Sequence, residues 1–309
     1  MNMIPIKSLK DLPQAHVLGA GTSMCAGCGG LQALHEVCDV LGRKTVIVNA
    51  AGCMTLLANY PHSPFQGSWL YTAMACAPAG AQGVRDALDI LRQQQRITAA
   101  EDLTTVVLTG DGAAYGMGLS ATSAAIERGL DFIYLCYDNE GYGNTGQQTS
   151  AATPHGARTA THDSSSGFSG RKKDLFAIWA AHRPAYVATV IGSEPLDLAR
   201  KIQTAAGLKG PRLILSLAPC PTGWGYEPRH SVEIGHLAVK TGIWPLKEYR
   251  DGKVTHTRVP NPRVPVERYL ERQARFSHLF KAQSGPTLIA EIQSAVDAYW
   301  ENLPCGHSL

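Results

Sequence analysis

Two sets of residues in this chain have the types and spacing for chemistry. The first lies between Thr104 and Ser150. An apolar run, Val106-Val107-Leu108, ends in Gly110-Asp111-Gly112, and a second, Phe132 to Tyr137, ends in Asp138-Asn139-Glu140-Gly141. Ser120 to Arg128, between them, has a helical pattern. Strand, helix and strand in that order set positions 111 and 139 side by side. The Asp111 carboxylate, the Asn139 side-chain oxygen and the Gly141 carbonyl are hard ligands of the kind Mg²⁺ takes when it bridges to phosphate. Flanking glycines let backbone approach a phosphate closely, and the helix that follows would point its first amides at the anion. A lone Gly-Asp-Gly is also an ordinary turn. Joined to Gly141-Tyr142-Gly143-Asn144-Thr145-Gly146 at this spacing, it is specific.

The second set is sulfur. Cys25 and Cys28 form a Cys-x-x-Cys before two glycines, Cys53 follows Ala50-Ala51-Gly52, and Cys220 stands between two prolines. All four fall in loops, where thiolates can converge. Four thiolates suit either Zn²⁺ or an iron–sulfur cluster. One close pair joined by two remote singles departs from the two close pairs of structural zinc and favours a cluster. Cys38, on a helical apolar face, and Cys136, inside a strand, read as small core residues. Cys76 lies in a long loop and Cys305 near the end of the chain.

The elements that must position these residues alternate. Leu31, Leu34, Val37, Cys38 and Leu41 recur at helical spacing, and Thr45 to Asn49 is a buried strand. Residues 60 to 83 read as one long ordered loop running into a helix that ends near Arg92. Residues 151 to 173, rich in Thr, Ser, Gly and Pro, suit a flexible linker or a loop folded over the site or over a partner subunit. Lys173 to His182 is helical and Tyr186 to Ile191 a strand. Pro195 opens a helix whose inner stripe is Leu198, Ile202 and Ala205. Arg212 to Leu217 is another buried strand. Residues 226 to 262 look irregular, with a hairpin at Asp251-Gly252, and helical patterns at 265–281 and 285–302 are expected to wrap the outside. The fold class expected is α/β, a parallel sheet with helices on both faces, as residues 1–225, followed by a C-terminal extension, 226–309. Three strand exits then deliver Cys53, Asp111 and Cys220 to the carboxyl edge of the sheet, where open α/β folds place their sites.

Composition narrows the class. The chain has 309 residues, 44% hydrophobic and 17% charged, with a formal net charge of +3, which describes an ordinary soluble globular protein. The densest basic cluster, Arg171-Lys172-Lys173, is too short to argue for nucleic acid and reads as a solvated turn. The opening residues lack the plan of a signal peptide, and no apolar run reaches membrane-spanning length. A cytoplasmic address is expected, in which the eight cysteines are not disulfides. Among the histidines, His62 and His155 lie in the loops most apt to face substrate.

These motifs carry a resemblance. Gly110-Asp111-Gly112 followed by Asp138 to Gln147 closely resembles the thiamine-diphosphate motif of the β subunits of 2-oxoacid:acceptor oxidoreductases, of which pyruvate:ferredoxin oxidoreductase is the best-known type. The likeness runs through the Cys25 to Gly29 start, Thr153-Pro154, Lys173-Asp174, Trp244-Pro245-Leu246 and Pro265 to Phe276. It implies a thiamine-diphosphate-binding fold. Asp111, Asn139 and the Gly141 carbonyl would ligate Mg²⁺. Gly110, Gly112, Ala113, Tyr142 and Thr145 would line the cofactor, and Asn144 would lie beside the thiazolium and substrate as the catalytic residue. Cys25, Cys28, Cys53 and Cys220 would hold a [4Fe–4S] cluster.

The activity implied is CoA-dependent oxidative decarboxylation of a 2-oxoacid, with electrons passing to the cluster. The glutamate that activates the cofactor would come from another chain, so α and γ- or δ-type subunits are expected. Ferredoxin or a flavin/NAD subunit would be the acceptor. Pyruvate is the default substrate. The segment Pro61 to Tyr71 and its continuation to Ala77 depart from the pyruvate-type pattern, which keeps an arylglyoxylate such as phenylglyoxylate in view. Two rivals are a cluster-free thiamine-diphosphate decarboxylase or synthase subunit and a zinc-stapled interaction subunit without catalysis.

Overall fold

The computed structural model describes residues 5–303 apart from 60, 62, 164 and 165. Eight strands and nine helices among these residues follow in the order α1 (Gly29–Leu41), β1 (Thr45–Ala50), β2 (Ser68–Thr72), α2 (Ala77–Gln93), β3 (Thr104–Gly110), α3 (Leu119–Glu127), β4 (Phe132–Asp138), α4 (Leu175–Ala181), β5 (Tyr186–Ile191), α5 (Pro195–Gly207), β6 (Pro211–Leu217), α6 (Pro221–Trp224), α7 (Ser231–Lys240), β7 (Leu246–Arg250), β8 (Lys253–Arg258), α8 (Glu267–Leu270) and α9 (Gly285–Glu301). The strands form one sheet in the order β2-β1-β3-β4-β6-β5-β7-β8. The first six are parallel, and β7 and β8 add an antiparallel edge.

Continuous apolar runs build the central strands because both faces are covered. Side chains alternate between two cores. Ile47, Val106 and Leu108 face the layer of α1 and α5, where Leu34, Val37, Leu198 and Ile202 lie. Val48 and Val107 face the other layer, with Ala125, Ile126, Phe176 and Trp179. Leu198, Ile202 and Ala205 on α5 are fully buried, as the stripe behind Pro195 predicts. Burial of each large side chain contributes roughly 1.5–3 kcal/mol.

Register decides what meets at the carboxyl edge. Gly110 pairs with Tyr137, Asp138 with Leu217, and Ala50 with Thr72. The exits of β1, β3, β4 and β6 are therefore level, and the residues just past them converge. No helix among the described residues is long and apolar enough to cross a membrane.

Three expectations need correction. The loop at 60–83 contains β2, an edge strand parallel to β1. Its mostly exposed faces leave no hydrophobic alternation, though Trp69, Leu70 and Tyr71 favour a strand. The irregular stretch after 226 contains α7, anchored by buried Ile234, Ala238 and Val239. The helical pattern at 265–281 is a short α8 followed by 3₁₀ turns, and it does not wrap the outside: Arg275, Phe276, His278 and Leu279 are buried. The hairpin at Asp251-Gly252 is present. Both residues have positive φ, 52° and 79°, as a two-residue turn joining right-twisted strands requires. Only Gly285 and Trp300 of α9 are buried.

Candidate active site

Asp111 leaves β3 almost fully buried, 1% exposed. Its Oδ2 accepts a hydrogen bond from the Ser150 hydroxyl. Burial, reinforced by the neighbouring Asp138 carboxylate, pushes its carboxyl well above the ordinary range. An uncompensated carboxylate here is unfavourable, and a cation would reverse that. The Asn139 side-chain oxygen faces the Gly141 carbonyl at 2.7 Å and Asp111 Oδ1 at 2.9 Å; with the amide turned over, its nitrogen would donate to both. Asn139 is itself 6% exposed.

The loop carrying these oxygens is held from behind. Trp224 Nε1 donates to the Asn139 carbonyl at 2.8 Å. Glu140 lies in the left-handed region, φ 63°, which costs about 1–3 kcal/mol in a residue with a side chain. Two cations hold it there: Lys172 Nζ at 2.8 Å and Arg275 Nη2 at 2.6 Å. Burial works to raise the Glu140 carboxyl, but Lys172 and Arg275 outweigh it and hold it below its usual value. Lys172 also pairs with Asp138 at 2.7 Å, and Asp138 accepts from the Tyr115 hydroxyl at 2.5 Å. The Arg275 guanidinium stacks 3.9 Å over the Trp224 ring. A charged network thus runs from the 274–280 turns to the oxygen loop.

Gly112 must be glycine for a local reason: a Cβ there would lie 2.2 Å from the Tyr142 ring. Ala113 is buried beside it. The helix after Gly112 runs from Leu119 to Glu127, within one residue of the Ser120–Arg128 pattern. A wide turn of π type spans Gly112–Met117, and α3 begins at Leu119. Gly116 and Gly118, poor helix formers, sit at that join. Asn144 and Thr145 are exposed on a 3₁₀ turn that Gly146 closes with φ 108°. They stand at the rim, apart from the buried Asp111, Asn139 and Gly141.

The four cysteines gather beside this loop. Cys28 caps α1 and its Sγ accepts from Leu31 N at 3.4 Å. Cys220 caps α6 and accepts from Gly223 N at 3.3 Å. The two loops are fastened by Gly29 N donating to the Pro219 carbonyl at 2.9 Å. Ser231 Oγ donates to the Gly27 carbonyl at 2.6 Å and holds the turn carrying Cys25. Cys53 follows Gly52 at the β1 exit. Burial, then the thiols of Cys220, Cys28 and Cys25, push the Cys53 thiol up to about 12. Cys28 and Cys220 are raised as well, each with burial as the main cause and the other thiols contributing. Such a set repels its own ionised form until a cation balances it. Among the described residues no group of three or more His, Cys, Asp or Glu side chains is set to hold a single metal ion. Cys38 and Cys136 are core residues, 3% and 0% exposed, and Cys76 is exposed.

Sequence reasoning missed the support. Lys172 does not lie in a solvated turn: its side chain is 22% exposed and pinned between two carboxylates. Arg171 and Lys173 are exposed as expected, although Lys173 Nζ donates to the Tyr115 carbonyl at 2.9 Å. Glu140 is the hub of the ion network. The described residues of the 151–173 segment form not a linker but a loop folded onto the site, with Arg158 N bonded to the Arg275 carbonyl at 2.9 Å and Lys173 N to the Ala151 carbonyl at 3.0 Å. A serine just after the glycine-rich motif was the available signal for Ser150. Arg275 had none. His155 lines a cavity of about 1000 Å³ that reaches Glu140, Lys172 and Trp244, and its Nε2 faces Glu291 of α9 at 3.5 Å. His62 and Cys305 lie outside the described residues.

The family described as thiamine pyrophosphate enzyme, C-terminal TPP binding domain, matches residues 50–215. The pyruvate synthase subunit PorB of Methanocaldococcus jannaschii is 40% identical over 87% of this chain and 92% of its own length. The ketoisovalerate oxidoreductase subunit VorB of Pyrococcus horikoshii is 36% identical over 96% of each chain. Among solved structures, 2-oxoglutarate:ferredoxin oxidoreductase from Magnetococcus marinus superposes with a TM-score of 0.55 at 22% identity, covering 69% of this chain and 68% of the other, which supports the fold. The chain belongs to the thiamine-diphosphate-binding β subunits of the 2-oxoacid:ferredoxin oxidoreductases.

Proposed function

We propose that this subunit, in the cytoplasm, carries the cofactors of a CoA-dependent 2-oxoacid oxidoreductase acting first on pyruvate, with ferredoxin or a flavin/NAD subunit as acceptor. Residues 1–225 form the cofactor-bearing part, and 226–309 an extension that packs on it and on α and γ- or δ-type subunits. The activating glutamate comes from one of those. Pyruvate is favoured because pyruvate synthase subunits are among the relatives near 40% identity.

The observation that carries this reading is the cluster of oxygens at Asp111, Asn139 and Gly141. Mg²⁺ with bonds of about 2.1 Å sets ligands at right angles roughly 3 Å apart, close to the 2.7 and 2.9 Å found here. Three acceptors facing one another suit a divalent cation. The soft donors Cys25, Cys28, Cys53 and Cys220, two of them accepting backbone amides, suit a [4Fe–4S] cluster, whose potential such bonds tune.

Thiamine diphosphate, when bound, supplies an electron sink for decarboxylation, and a cluster accepts the electrons singly. This chain's residues do the rest. Asp111, Asn139 and Gly141 hold the cation that anchors the diphosphate. Gly112 lets Tyr142 and the backbone close over it. Ser150 keeps the Asp111 carboxylate aimed. Lys172 and Arg275 fix Glu140 so that Asn139 and Gly141 face one way. Asn144, exposed on its turn, is placed to meet substrate at the rim.

The test is the co-expressed complex purified without oxygen, with iron, sulfide and zinc assayed and a panel of 2-oxoacids scored by reduction of a low-potential dye. The expected result is equal iron and sulfide with pyruvate preferred. Preference for phenylglyoxylate would move the substrate to the arylglyoxylates. A colourless protein with one zinc would sink the cluster, and dye reduction by no 2-oxoacid would sink the activity.

A further inference from the structure

The Asn139 amide faces two ways. Its oxygen looks into the oxygen cluster, 2.7 Å from the Gly141 carbonyl and 2.9 Å from Asp111 Oδ1. Its nitrogen looks the other way and donates to Cys53 Sγ at 3.8 Å. These two groups belong to different candidate centres. Without a cation the oxygen end is unfavourable, because a turned amide would offer its two protons to Gly141 and Asp111 instead. Turning it would present the amide oxygen to the Cys53 sulfur. A cation among the three oxygens forbids that turn, since it repels N–H.

Residue 143 leaves the space for this contact. A Cβ on Gly143 would lie 2.7 Å from Asn139 Nδ2 and 3.3 Å from Cys53 Sγ. The φ of Gly143 is not in the left-handed region, so glycine here answers a close approach and not a turn. The loop is also fixed at the Asn139 backbone, where Trp224 Nε1 donates to its carbonyl.

We propose that Asn139 is a positioning residue that couples the two centres: the cation locks the amide so that its N–H donates to the Cys53 thiolate. The proposal rests on the reading that Asp111, Asn139 and Gly141 hold Mg²⁺ and the four cysteines hold an iron–sulfur cluster. An N–H directed at a ligating sulfur stabilises the more negative, reduced cluster and raises its potential. Filling the cation site therefore makes the cluster a better electron acceptor. By reciprocity, reducing the cluster tightens cation binding.

The experiment is redox potentiometry of the cluster, followed by its electron paramagnetic resonance signal, on the complex purified without oxygen. It is run with Mg²⁺–thiamine diphosphate and after chelation, for the wild type, Asn139→Asp and Gly143→Ala. Asn139→Asp keeps an oxygen for the cation and removes the N–H. Gly143→Ala pushes the amide off the sulfur without adding charge. Iron content is measured on each sample. The expected result is a lower midpoint potential in both variants at unchanged iron content, and a drop on chelation in the wild type that is much reduced in both variants. If Asn139→Asp loses its iron, Gly143→Ala and the chelation step on the wild type decide. Midpoints that stay at the wild-type value, or rise, in iron-replete variants overturn the coupling and leave the cluster standing. A wild type without iron removes the cluster reading and the coupling together.

Discussion

The oxygen site and the sulfur site lie within one hydrogen bond of each other and are built in opposite ways. Asp111, Asn139 and Gly141 come from one contiguous strand-helix-strand unit. All three are buried, and the loop between them is pinned by a charged network that includes Lys172 and Arg275. The cysteines come from three separate strand and helix junctions. Cys25 is exposed and Cys28, Cys53 and Cys220 are half-buried, and they are tied together by backbone bonds such as Gly29 to Pro219. A small hard cation needs oxygens held to a fraction of an ångström, which rigid burial supplies. Thiolates gathered on turns can adjust, which a larger guest requires. The difference teaches that one site gathers its ligands by burying charge and the other by fastening separate turns with backbone bonds.

The sharpest way to break the comparison is Asp111→Ala. It should abolish retention of thiamine diphosphate, read by fluorescence quenching or cofactor content after desalting, and leave iron content unchanged. Simultaneous loss of both would show the two sites to be one folding unit.

A smaller effect is expected for Arg275→Met. Arg275 and Glu140 side chains are 3% and 6% exposed, and removing one partner of a buried pair destabilises by roughly 3–5 kcal/mol. Thermal unfolding should shift down accordingly. Cation–cofactor affinity should weaken, because Glu140 would be held against its left-handed strain by Lys172 alone, while iron content stays as it was. Affinity unchanged in a destabilised variant would confine Arg275 to stability.

The smallest effect is graded with pH. The Cys53 thiol is pushed up to about 12 by burial and the other thiols, so below that value its ionised fraction rises about tenfold per pH unit. Thiolates are the ligands. Iron–sulfide reconstitution of the apo-subunit should therefore quicken from pH 7 to pH 8.5. A flat rate over that range would mean that Cys53 does not limit loading.

Much of this is legible in the sequence. Strand exits at Gly110, Asp138 and Leu217 followed from apolar runs stopped by glycine, acid or proline, and the parallel sheet from their alternation with helices. Each is a local signal, read from neighbours in the chain. Strand β2 was illegible because an exposed edge strand has no buried face to impose a period. Helix α7 was hidden because its apolar positions lie between irregular flanks.

The sequence by itself determined which atoms are available: the carboxylate of Asp111, the amide of Asn139 and the thiols of Cys25, Cys28, Cys53 and Cys220, each at the end of a strand or the head of a helix. Only the tertiary structure decided how they are used. Ser150 on Asp111, Lys172 and Arg275 on Glu140, and Asn139 Nδ2 on Cys53 join residues between 32 and 135 positions apart. Such pairings leave no periodicity, because periodicity reports which face an element buries and not which partner it meets there. Sheet register supplies the partner, and it brought one amide between two centres.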